Sequence, residues 1–174
     1  MTAHDDVPVF RAPMRSRDDR VPEGTGVERA LRAGVCGLDG RLSAAPGTLE
    51  GALAAAAEEH GERLARRIGR FAEAPEGAFV WTRDADGAYW LGRIAGPWRY
   101  DDSAEAEAAD LVHVRDCRWR ADPIAEQNVP AAVLATFARG GRNWQRIRSR
   151  EALEQTATLR SPRVRAGAAG RMNR

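Results

Sequence analysis

Ala78-Phe79-Val80-Trp81-Thr82 and Tyr89-Trp90-Leu91-Gly92-Arg93-Ile94 are two short runs rich in aromatic and β-branched residues, with Asp86-Gly87 between them. Such runs favour a pleated, half-buried surface, and Asp-Gly tolerates the positive φ that a tight hairpin turn needs. The pair therefore predicts an antiparallel hairpin. Downstream, Gly96-Pro97 marks a bend and Trp98-Arg99-Tyr100-Asp101-Asp102 reads as a loop. Leu111 to Trp119 reads as a third strand, with His113, Arg115, Cys117 and Trp119 on one face by the period of two.

Helices flank this β region. Leu49 to Glu59 follows Thr48, a suitable N-cap, and Gly61 interrupts the run. Glu62 to Phe71 resumes it, with Leu64, Ile68 and Phe71 at helical spacing, and Pro75 stops it. Shorter helices are predicted over Glu28 to Ala33, closed by Gly34, and from Asn128-Val129-Pro130 through Phe137, with Pro130 near the first turn. Ser103 to Asp110 reads as an acidic loop or short helix. Val7 to Phe10 and Asn143 to Ile147 read as short strands, and Ser149 as the cap of a last helix to Leu159. The fold class expected is α+β, with one domain over residues 1–160 and an Arg-rich flexible tail over 161–174.

The chain has 174 residues, 43% hydrophobic and 30% charged, enough for a core. No stretch approaches the ~18 apolar residues of a spanning helix. The first residues lack the basic and apolar regions of a signal peptide, so a cytoplasmic location and no membrane partner are expected. Cys36 and Cys117 form no C-x-x-C pair, and His4, His60 and His113 show no zinc spacing. His113-x-x-Asp116-Cys117 is the nearest approach to a metal motif, and local hydrogen bonding explains it more simply. No metal and no cofactor are expected.

All 27 basic residues are arginine. The absence of lysine removes a P-loop lysine and a Schiff-base lysine. G-x-S-x-G, H-E-x-x-H and a G-x-G-x-x-G after a strand are absent too, so no catalytic residue is assigned. The charge is uneven. From Arg139 onward ten arginines face two glutamates, a local balance of +8. The remaining 17 arginines face 23 acids, leaving the body at −6. A basic end on an acidic body fits a polyanionic partner.

Seven of the eleven aromatic residues fall between Phe79 and Trp119. An aromatic on a strand is usually packing, which is the reading for Phe79, Trp90 and Trp119. Trp98 and Tyr100 flank Arg99 beside a bend, where stacking on a flat base is the alternative, worth ~1–3 kcal/mol per base. Asp101 or Asp102 could accept a hydrogen bond from an exocyclic amine. Gly140-Gly141 stands among Arg139, Arg142 and Arg146 with Trp144 close by, a pattern that suits a nucleic-acid backbone.

The segments Gly77 to Arg83, Tyr89 to Asp101, His113-Val114-Arg115 and Cys117-Arg118-Trp119 together resemble the EVE- and YTH-like branch of the PUA superfamily, in the form found in prokaryotic restriction-associated proteins. The similarity covers residues 75–150. The resemblance implies a small, strongly curved β-barrel with flanking helices that reads a modified base by flipping it into an aromatic pocket. Carried over, Trp98 and Tyr100 match the pocket segment and Trp81 and Trp119 the aromatics near it; with Asp101 or Asp102 at the edge of such a pocket, Arg99, Arg142, Asn143 and Arg146 are the candidates for backbone contacts. Cys117 departs from the aliphatic residue more usual there. The expected partner is DNA bearing 5-methylcytosine; modified RNA and N6-methyladenine DNA are the alternatives. An enzyme is not expected.

Overall fold

A computed structural model of the chain describes residues 7–141 and 144–160. Seven strands form one strongly curved sheet, β1 Val9–Arg11, β2 Val35–Leu38, β3 Phe79–Arg83, β4 Tyr89–Ile94, β5 Arg99–Tyr100, β6 His113–Trp119 and β7 Gln145–Arg146. The path runs β2-β6-β4-β3-β1-β7, and β5 also pairs with β6. Strands β2 and β7 end that path without pairing to each other, so the sheet is a half-barrel. Its helices among the described residues are α1 Thr25–Ala33, α2 Leu49–His60, α3 Glu62–Glu73, α4 Ala104–Ala109, α5 Ala131–Ala138 and α6 Arg150–Arg160.

Local signals set most of these boundaries. Thr48 accepts a 3.0 Å bond from the Gly51 N–H, Ser103 accepts one from Ala106, and Ser149 accepts one from Ala152. Gly34 closes α1 in the left-handed region at φ +67°. The Asp86-Gly87 turn joins β3 to β4 in register Phe79↔Arg93 through Arg83↔Tyr89. β1 pairs parallel to β3, and the long connection between them carries α1 to α3, as a parallel pair requires.

Two residues differ from a loop reading. Arg99 and Tyr100 form β5, paired to Val114 and His113. β6 is long enough to hold β4 at one end and β5 at the other, with the Gly96-Pro97 bend between them. The 103–110 segment resolves into the short helix α4.

The sheet is covered on both faces. On one, Phe10, Val80, Ile94 and Cys117 pack with Leu64, Ile68 and Phe71 of α3. On the other, Val9, Phe79, Trp81 and Leu91 pack with Val133 of α5 and Ala152 of α6. Alternation sends Phe79 and Trp81 to the second core and Val80 to the first. A central strand buried on both faces has no exposed side chain over Phe79 to Thr82, and this places Trp81 inside.

Candidate nucleic-acid interface

The basic loop that follows α5 is built around a buried arginine. Arg11 ends β1, between β3 and β7, and its side chain is 2% exposed. Its guanidinium donates to the Thr136 carbonyl, to Gly140 O at 2.9 Å and to Gly141 O at 3.0 Å. It also lies 5.5 Å from the centre of the Phe137 ring. The last carbonyls of a helix lack intrahelical donors, and a cation there suits the helix dipole. Gly140 and Gly141 take φ +72° and +110°, and a Cβ on Gly141 would stand 3.0 Å from Arg11 Nη2. Glycine is required at Gly141 by both conformation and approach. Burial lowers the Arg11 pKa, and the nearby charges of Arg139 and Arg15 push it the same way.

Two clefts flank this loop. The first, about 520 Å³, lies between Gly140-Gly141 and the β3–β4 hairpin, with Phe137 and Val27 as apolar wall and Arg15, Arg83, Glu23, Asp84 and Asp86 as charged lining. The second is a groove of about 850 Å³. Phe10 and Trp144 stack on its floor, centroids 4.3 Å apart and 16° from parallel, and Phe71 meets Trp144 edge-on at 5.0 Å. Arg70, Arg139, Arg146 and Arg148 line it together with Glu73. All four arginines are exposed, and none forms an ion pair with a described residue. The Trp144 indole N–H is buried with no hydrogen-bond partner among the described residues.

The residues singled out from sequence fall in four places. Trp81 is fully buried in the second core and its Nε1 donates to Thr156 Oγ1 at 3.1 Å. It has no accessible ring face and stands apart from the other aromatics. Trp98 and Tyr100 come together around buried His113, Trp98 stacked at 6.0 Å and Tyr100 edge-on at 5.4 Å. The Tyr100 hydroxyl accepts from Leu42 N at 2.9 Å. Asp101 pairs with Arg29 at 2.6 Å, while Asp102 is exposed and makes no ion pair among the described residues. Trp119 donates to Val35 O at 2.9 Å and lies against Gly92, where a Cβ would meet its ring at 2.5 Å.

Of the backbone candidates, Arg99 pairs with Asp116 at 2.7 Å, on the opposite face of β6 from His113. Arg146 lies on β7 in the groove beside Trp144. Arg142 and Asn143 lie outside the described residues. The structure thus joins Arg146 to Trp144, and Trp98 to Tyr100, but it does not assemble one cage from all four ring residues.

His113 is the buried member of the Trp98–Tyr100 cluster. Its Nε2 lies 2.9 Å from Gly40 O. A carbonyl can only accept, so Nε2 carries the proton and Nδ1 is bare. Burial lowers the His113 pKa to about 4 despite that bond, so the ring is neutral near pH 7. His113 and Cys117 share one face of β6 while Asp116 faces out, and among the described residues no three metal-ligating side chains gather.

Arg11 and Arg70 were not singled out by spacing or composition. The one signal that could have drawn attention to Arg70 is its recurrence with Arg63, Arg66 and Arg67 along α3. Compared with protein-family models and with curated proteins, the chain matches none.

Proposed function

We propose that this chain is a non-enzymatic nucleic-acid-binding module of the PUA-like type, which reads a modified base drawn out of its strand. DNA carrying 5-methylcytosine is the ligand put first; modified RNA and N6-methyladenine DNA are the outcomes that would replace it. One observation carries this proposal. Arg70, Arg139, Arg146 and Arg148 line a groove floored by stacked Phe10 and Trp144, free of carboxylate partners among the described residues. Guanidinium groups in that arrangement suit phosphates, each contact releasing counterions. The half-barrel sheet agrees in kind with what the resemblance over residues 75–150 implies.

The backbone of the strand crosses the groove, and the extruded base enters the first cleft on the other side of the Gly-Gly loop. That cleft is roomy enough for a base and offers the Phe137 ring, already backed by Arg11. Extrusion costs a few kcal/mol, which stacking and phosphate contacts must offset. One buried methyl contributes ~0.8 kcal/mol, so preference for the methylated duplex should be about fourfold.

A competition mobility shift at fixed salt tests this, with matched duplexes carrying cytosine, 5-methylcytosine or N6-methyladenine and an RNA duplex alongside. Preference for one modified ligand, lost in Phe137→Ala and kept in Trp98→Ala, supports the cleft. The reverse pattern would move the base to Trp98 and Tyr100. Failure to retard any nucleic acid at low salt would sink the proposal.

A further inference from the structure

Arg67 is a buried cation with no ion pair to a described residue. It projects from α3 among the buried residues of that helix and is 5% exposed. Its Nη1 is buried and has no hydrogen-bond partner, and it forms no ion pair with a described residue. A buried, unpaired charge is costly, and a protein normally neutralises it with a carboxylate or a bound anion. Asp39 is the acid whose charge acts on Arg67. It is itself buried, accepts the Arg17 N–H at 3.0 Å and stays beyond ion-pair reach of Arg67.

Besides Asp39, the charges that act on Arg67 are those of arginines. Arg63 and Arg70 stand one turn away on either side, within ~10 Å of each other along the helix axis, and both are exposed. Arg17 belongs to the segment that carries the Asp39 contact, and its side chain is exposed without an ion pair among the described residues. Burial lowers the Arg67 pKa, with Arg17 next; Arg70 and Arg63 add to it, and Asp39 alone opposes them. Three exposed guanidinium groups, those of Arg17, Arg63 and Arg70, thus act on one buried, orphaned donor.

We propose that Arg67, with Arg17, Arg63 and Arg70, binds a phosphoryl group, Arg67 giving its buried N–H and the exposed arginines closing over the oxygens. Arg70 belongs to this set and to the groove, so the two are continuous along α3. The chemistry is that of a phosphate oxyanion, whether in a nucleic-acid backbone or in a free polyphosphate. Only the first source rests on the nucleic-acid proposal above.

Inorganic tripolyphosphate is the probe, read as the rise in melting temperature of the full chain. The exposed double variant Arg17→Gln/Arg63→Gln leaves the core intact, and Arg146→Gln/Arg148→Gln removes groove charges. The rise should survive the groove variant, while tripolyphosphate affinity falls at least about tenfold in Arg17→Gln/Arg63→Gln, two charge-assisted contacts being lost. No rise in the wild type, or an equal rise in Arg17→Gln/Arg63→Gln, overturns the site. An oligonucleotide arm identifies the source. If the salt dependence of strand binding weakens by about one unit per lost arginine, the phosphate is the strand's. If the tripolyphosphate effect is lost while strand binding is unchanged, the site takes a free polyphosphate. A wild type that binds tripolyphosphate at this site but no oligonucleotide would retire the nucleic-acid proposal and leave the anion site standing.

Discussion

Arg11 and Arg115 are both buried arginines that turn their guanidinium onto the carbonyls at the C-terminal end of a helix, yet they serve different ends. Arg115, on β6, donates to Phe71 O at 3.1 Å, Ala72 O at 3.4 Å and Ala74 O at 2.5 Å, and its Nε donates to Gly96 O at 2.7 Å. It ties the end of α3 to the bend between β4 and β5. Arg11 does the same for the end of α5, but its helix end opens onto two clefts, with Arg139 and Arg15 close by. The first arginine closes a core; the second presents a glycine loop to solvent. The same solution to unsatisfied helix carbonyls thus marks a structural joint at one place and a binding edge at the other.

Substitution should separate the two most sharply. Arg115→Met leaves several buried carbonyls without donors and is expected to cost about 3–5 kcal/mol, read by urea unfolding, with no specific effect on ligand affinity in the fraction that folds. A cost under about 1 kcal/mol would mean that Arg115 is not the joint.

Acid should weaken the β6 side of the molecule next. His113 shares its strand face with Arg115, and its pKa is about 4 in the fold against an ordinary 6.5. Between those values the unfolded chain binds the extra proton, so stability is full above pH 6.5 and falls as pH drops towards 4. The loss approaches about 3 kcal/mol. Asp39, raised by burial, works in the opposite direction at the acid end. Unfolding free energies that stay flat between pH 7 and 4.5 would contradict a neutral, buried His113.

Arg11→Met should cost less stability, about 1–3 kcal/mol, because Gly140 and Gly141 border solvent. Its larger effect should be on nucleic-acid affinity, through a loosened loop. Gly141→Ala sharpens the same contrast at about 1 kcal/mol, from the positive φ and the approach of Arg11 Nη2. If both variants unfold the chain without touching affinity in the folded fraction, Arg11 is a structural joint like Arg115.

Much of the fold is legible in the sequence because its signals are local. Thr48, Gly61, Pro75 and the Asp86-Gly87 turn each act within a few residues, and α2, α3 and the β3–β4 hairpin form where they indicate. β5 is not legible, since two residues carry no period and Arg99 and Tyr100 become a strand only because β6 extends beside them. Trp81 shows the same limit. Its alternation is plain, but nothing local says that helices cover both faces of β3. Arg11, Arg67 and Arg115 look like any other arginine in a chain where arginine supplies every basic side chain, and only tertiary packing sets them apart. The basic Gly-Gly loop with Trp144 is legible; Arg70 of α3, which completes its groove, is not.

The most direct test of the central claim is the salt dependence of binding to a short DNA duplex, measured for the wild type and for Arg146→Gln/Arg148→Gln. If the groove beside the Gly-Gly loop holds phosphates, the slope of log affinity against log salt should shrink by about 2 in the variant. The folded chain should keep its melting temperature. An unchanged slope would contradict a phosphate-binding groove at this place.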